Sequence, residues 1–197
     1  MAIYNYALFL HIVGALTLGV ANAVALLVFS GIRSANATAE MRFWGSLARR
    51  TRSLTTISAI VLLLSGGYMA FVSWGWATPW IDISLALMVA MAALGARLIG
   101  PRFGKVGAAI AQAGDGLVTP ELRRLRDDQT LWIGVSVSAA LYLSIIFLMS
   151  VKPALLPSLL TVLVALVLAV VVALTLRARM AGERGVTHTP TPASVSR

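Results

Sequence analysis

No cysteine occurs among the 197 residues of this chain. That absence excludes a disulfide framework, thiolate metal sites and a thiol nucleophile. Histidine is almost as scarce, with two copies, His11 and His188. Charged residues make up 12% of the sequence, against about 25% in ordinary soluble domains. There is no glycine-rich phosphate loop, no HExxH and no Ser-His-Asp arrangement. The apolar runs also lack the paired carboxylates that many proton-coupled pumps use. Several enzyme classes are set aside by these gaps.

Apolar residues dominate what is present: 59% of the chain is hydrophobic and its mean hydropathy is +0.88. A soluble domain of this size could not bury so much apolar surface, so lipid is the expected solvent for much of it. Five runs are long enough to cross about 30 Å of hydrocarbon as helices: 4–30, 54–74, 80–98, 131–151 and 154–176. The first lacks a basic leading region and far exceeds the apolar core of a signal peptide, so it reads as a retained helix. The expected fold is an all-α integral membrane bundle, with spans one to four as an antiparallel core and span five at its periphery. It forms one transmembrane domain over 1–181, followed by a Pro/Thr/Ser-rich tail over 182–197 that reads as disordered and contains His188.

Orientation follows from the basic residues. Arg33, Arg42, Arg49, Arg50 and Arg52 fall in the first connection. Arg97, Arg102, Lys105, Arg123, Arg124 and Arg126 fall in or beside the third, and four more arginines follow span five. With five alternating spans, fifteen of the sixteen Lys and Arg residues share one side, Lys152 being the exception. The positive-inside rule makes that side the cytoplasm, with the N-terminus outside and the C-terminus inside. The net charge of +9 is thereby a membrane signal, and no nucleic-acid partner is expected. Trp74, Trp76 and Trp80 bracket the short outer turn, which predicts a tight hairpin of spans two and three. On the inner side Thr119 is placed to cap a helix with Pro120 in its first turn, continuing into span four. The segment GKVGAAIAQAG reads as a short interfacial helix.

Few polar groups lie within the spans. Helical spacing puts His11, Ala15, Leu18, Asn22 and Ala25 on one stripe of the first span, with Gly14 at its margin. Ser138, Tyr142, Ile145, Met149 and Lys152 align likewise on the fourth. Span two contributes Ser65–Gly66–Gly67–Tyr68 with Met69, and span three enters through Asp82. The topology predicts a gathering of His11, Tyr68, Asp82, Met149 and Lys152 in the outer half of the bundle. Each has a plain reading as well: a packing hydrogen bond for His11, a snorkelling interfacial Lys152, a capping or ion-paired Asp82.

Two of these segments, LHIVGAL and MSVKP, resemble a superfamily of small bacterial membrane proteins. It includes the copper-resistance D-type proteins and the haem-binding J-type protoporphyrinogen oxidase. The overall pattern of LSGGY, W…PW and a final KP resembles predicted integral membrane proteins of unknown function. The resemblance spans Tyr4 to Pro153 and implies a bacterial multi-pass protein, for which the charge bias makes the inner membrane the expected home. It also implies a functional histidine and lysine at His11 and Lys152. Leu18 stands where the haem-binding relatives carry tryptophan, and their arginine further along the first span has no counterpart here. No second histidine lies in any span, so bis-histidine haem within one subunit is excluded. Three readings stay open. Haem b could be held by His11 with Met149, Met69, Lys152 or water, or by two copies of His11 across a homo-oligomer. The second is a copper or small-solute handling protein, in which His11 and methionines, Met149 first, would be the soft-metal ligands. The third is a non-catalytic scaffold or accessory subunit whose polar residues join helices.

Overall fold

The computed structural model describes the backbone of residues 2–75 and 77–186 and the side chains up to residue 175. Trp76 and His188 lie outside the described residues, as does the tail beyond Val186. The described chain is all helical: α1 Ala2–Ser34, α2 Thr38–Trp74, α3 Pro79–Gln112, α4 Pro120–Arg126, α5 Gln129–Val151 and α6 Leu155–Val186. Two stretches wind as π-helix, Ala70–Trp74 at the end of α2 and Gly95–Ile99 within α3. Five segments are long and apolar enough to cross a membrane, as the hydropathy predicts.

Three helices are much longer than the spans read from the sequence. α1, α2 and α3 have 33, 37 and 34 residues, or roughly 50–55 Å at 1.5 Å per residue, against about 30 Å of hydrocarbon. The surplus of α2 is the segment expected to be a connection: α2 starts at Thr38, leaving Ala35–Ala37 as the link to α1. Hydropathy missed it because Thr38–Ser53 is amphipathic, with Met41, Trp44, Leu47 and Ala48 turned inward between arginines. GKVGAAIAQAG is likewise the continuation of α3 and not a separate helix.

Helix four corrects a further expectation. Its entry is capped as predicted, the Thr119 hydroxyl accepting from the Leu122 N–H at 3.3 Å. The helix then stops at Arg126, and α5 starts afresh with Asp128 accepting from the Thr130 N–H at 2.8 Å. Adjacent aspartates favour a cap over helix interior, because their carboxylates compete for backbone N–H groups. At the other end of the chain α6 runs to Val186, past the expected start of the tail.

The surplus ends of α1, α2 and α3 pack with α4 into a subdomain at the basic end. Its core joins Val28 and Ile32 of α1, Met41 of α2, Val106 and Ile110 of α3, and Leu122 of α4. Backbone bonds from Thr38 N–H to Gly116 (2.9 Å) and from Val118 N–H to Asn36 (3.1 Å) tie the two linkers together. Arginines close it. Arg42 pairs with Asp115 and donates to the Ala113 carbonyl at 2.6 Å. Arg126, 8% exposed, donates to the Ala35 carbonyl and pairs with Asp127, which also meets Arg33.

Toward the opposite end α2 packs on α1, whereas α3 packs on α5. The hairpin of spans two and three is therefore closed at its turn, parts in the middle, and meets again at the basic end, where Met41 packs with Val106 and Ile110. A second core there joins Leu18, Leu62, Trp80, Leu87, Leu141 and Leu148. α6 lies on α5, held by the Trp132 indole N–H on the Ala173 carbonyl at 3.0 Å. Only 6% of its most apolar window is buried, as a lipid-facing helix requires.

Two classes of arginine follow from this packing. Arg126→Ala should cost about 3–5 kcal/mol, because it leaves a buried network unpaired. Arg50→Ala and Arg124→Ala, at exposed positions, should stay within about 0.5 kcal/mol of wild type. Thermal unfolding of the three variants in detergent measures the contrast, and equal effects would refute it.

Candidate functional site

The expected site residues sort into two clusters and a remainder. The first cluster is His11 of α1 against Ser65 and Gly66 of α2. His11 Nδ1 lies 3.2 Å from Ser65 Oγ, and that hydroxyl is also 2.6 Å from the Val61 carbonyl. A serine has one proton to donate and here gives it to the carbonyl. It then accepts from Nδ1–H, which fixes the tautomer and leaves the Nε2 lone pair as the atom a ligand would use. The ring sits directly on the α2 backbone: a Cβ added at Gly66 would be 3.0 Å from His11 Cε1. One turn down, a Cβ at Gly14 would meet Leu62 at 3.1 Å. α1 and α2 thus touch at the imidazole and again one turn below it.

The second cluster is Lys152 with Trp74 and Trp80. Lys152 ends α5 in the left-handed region, at φ 52° and ψ 51°, and Pro153 prevents any continuation. Its N–H bonds the Leu148 carbonyl at 2.9 Å. A side chain in this conformation costs about 1–2 kcal/mol, so the surroundings must hold it. They do so through the ammonium, 4.2 Å from the Trp74 ring centroid and 5.6 Å from that of Trp80. The two indoles stand edge to face at 5.2 Å, and cation–π attraction of this kind contributes about 0.5–2 kcal/mol.

These clusters do not form one pocket. Ser65 and Trp74 mark their levels on α2, and nine residues at about 1.5 Å each separate them by about 13 Å along the axis. Met149 is half-buried against the second core. Asp82 is exposed in the first turn of α3, where the helix dipole favours an anion. Among the described residues it forms no ion pair with Lys152. Tyr68 is 37% exposed on the flank of α2.

Deeper in the bundle the two polar stripes meet as helical spacing predicts. Ser138 donates to the Asn22 amide oxygen at 3.2 Å, and the Tyr142 hydroxyl donates to the Ala15 carbonyl at 2.8 Å. What sequence reasoning missed is the partnership of each cluster. Ser65 was visible only as part of SGGY, and Trp74 and Trp80 only as interfacial anchors.

The donor set does not fit a haem within one chain. A single histidine nitrogen is offered, the α1–α2 gap is closed by Gly66 and Leu62, and the lysine is engaged by indoles about 13 Å away. Nor does any group of three or more His, Asp or Glu suited to a metal ion occur among the described residues.

If Lys152 is a helix stop clamped by indoles, its two truncations should differ. Lys152→Gly loses the cation–π contact and relieves the backbone, while Lys152→Ala loses the contact and keeps the strain. The glycine variant should be more stable than the alanine variant by about 1 kcal/mol in detergent unfolding; equal stability would argue against a strained helix stop.

No curated protein and no solved structure matches the chain. A family model described as predicted integral membrane protein (DUF2269) matches residues 5–153, which takes in α1 through α5 and both clusters. By that match this helical, membrane-embedded chain belongs to the DUF2269 family of predicted integral membrane proteins.

Proposed function

We propose that the chain is a non-catalytic scaffold or accessory subunit of a bacterial inner membrane, with its basic end in the cytoplasm. The observation that carries this reading is the use made of the polar groups in α1 and α5. His11 closes on Ser65, Asn22 on Ser138, and Tyr142 on the Ala15 carbonyl. Each joins one helix to another, and each does at membrane depth what a polar side chain must do to avoid an unsatisfied group. The charge asymmetry supports the orientation, since the exposed Arg49, Arg50, Arg52, Lys105, Arg123 and Arg124 all cluster at one end.

The copper-resistance and protoporphyrinogen-oxidase resemblance supplies the competing reading, in which His11 ligates haem b or copper. One feature favours it, the Nε2 lone pair left by the Ser65 contact. A second copy of His11 across a homo-oligomer would be the remaining way to complete a haem site.

The deciding experiment is an ultraviolet–visible spectrum of detergent-purified protein made with added haem precursor, oxidised and dithionite-reduced, beside His11→Ala. The scaffold reading expects no Soret band and a stability loss for His11→Ala of about 0.6 kcal/mol, up to about 1.7. A near-stoichiometric Soret band that vanishes in the variant would overturn it. Orientation is checked separately, since a chain without cysteine suits single-cysteine labelling. An impermeant maleimide should reach Ala77→Cys in intact cells and Gly114→Cys only after permeabilisation. The reverse pattern would invert the topology.

A further inference from the structure

α2 is uncovered over one stretch, between its close approach to Gly31 at Trp44 and its close approach to Gly14 at Leu62. No residue from Arg49 to Ile57 is buried, and only Thr51 is half-buried. The stretch makes about two and a half turns, so the helix is exposed around almost its whole circumference. Its polar groups reach no other helix. Ser53, Thr55 and Thr56 donate to the carbonyls of Arg50, Thr51 and Arg52, all within α2. The charges are unmatched as well. Arg33, Arg42, Arg102 and Arg126 each meet an aspartate, whereas Arg49, Arg50 and Arg52 form no ion pair among the described residues. Arg49 and Arg52 are neighbours on the helix surface, where like charges repel.

An apolar stripe runs through the same stretch. Phe43, Arg50, Ile57, Leu64 and Phe71 recur every seventh residue and so share one side of the helix. The four apolar members are 59 to 75% exposed. Leu64 and Phe71 need no partner but lipid. Phe43 differs, because it lies about 16 Å beyond Leu54, where span two leaves the hydrocarbon. The headgroup layer is about 5–8 Å deep, so neither an acyl chain nor a headgroup reaches Phe43. Lipid thus offers an anion for the arginines but nothing apolar below them. A second copy pairing the same faces would set three arginines against three arginines.

We infer that this face of α2 docks a membrane-spanning helix of a different protein, one with apolar side chains along the stripe and carboxylates opposite Arg49, Arg50 and Arg52. The inference gives the accessory-subunit reading its kind of partner and rests on that reading. The two fail separately: a haem spectrum removes the reading, whereas a failed docking test without a Soret band removes the docking face alone.

Photo-crosslinking in the native membrane tests it, with benzoylphenylalanine placed singly at Phe43, Ile57 and Leu64. Leu163, 59% exposed on α6, is the control. The three α2 positions should form adducts with one and the same protein, and Leu163 should not. Mass spectrometry of the cross-linked peptides should place Asp or Glu on a membrane-spanning helix of that protein, at the level of Arg50. The triple variant Arg49→Gln, Arg50→Gln, Arg52→Gln should lower the yield about tenfold, as the loss of three exposed charge pairs would. Lysine at the same three positions should preserve it. Maleimide access to Gly114→Cys only after permeabilisation shows that the glutamine variant keeps its orientation; if it does not, the adduct map of the otherwise wild-type chain decides. Adducts with a second copy of the chain, with lipid alone, or with a helix lacking carboxylates would overturn the inference, as would equal yields from Leu163.

Discussion

The axial alignment of α1 on α2 sets the position of nearly everything else, because both helices run far beyond the hydrocarbon and touch along their length. Close approach is obtained where one helix has no side chain to interpose. Gly14 admits Leu62, Gly66 admits His11, and Gly31 admits the Trp44 indole, where any Cβ would fall inside the ring system. Lipid tails are as apolar as leucine, so no hydrophobic force drives two helices together at membrane depth. Packing and interhelical hydrogen bonds must do it, and small residues make the packing possible. The His11–Ser65 contact then fixes register where packing alone would tolerate a slip.

The same helix pair passes through two solvents, and its sequence changes character accordingly. In hydrocarbon the outward faces are leucine, valine and isoleucine, and the few polar groups turn inward. Beyond it the relation reverses: Met41, Trp44 and Leu47 turn inward and the arginines outward or into ion pairs. Water supplies a hydrophobic driving force there, so a core of ordinary soluble kind can form around Val28 and Ile32. Arg126 and Arg42 satisfy the linker carbonyls that such a core would otherwise strand. Residues that read as topology signals are thus also the fasteners of the subdomain.

The spans themselves were legible because lipid contact demands a long apolar run. So were the Thr119 cap and the two stripes that became Asn22–Ser138 and Tyr142–Ala15, since both follow from helical periodicity. The helical surplus from Thr38 to Ser53 was not, because hydropathy reports the solvent a helix faces and not the helix. The break at Asp127–Asp128 was carried by two residues against a run of good helix formers, a local capping preference that a span-level reading averages away. For the candidate site, topology correctly sent the residues to one half of the bundle but could not give their depth. That depends on where α2 stops and how its last turn winds, which Ala70–Trp74 settles by tertiary contact.

Depth is what separates chemistry from packing here. A concerted site needs its groups within a few ångströms of a common reacting atom, whereas His11 and Lys152 are about 13 Å apart in level. Each has instead a local partner: a serine hydroxyl that accepts from the imidazole N–H, and two indoles that hold an ammonium over a strained helix stop.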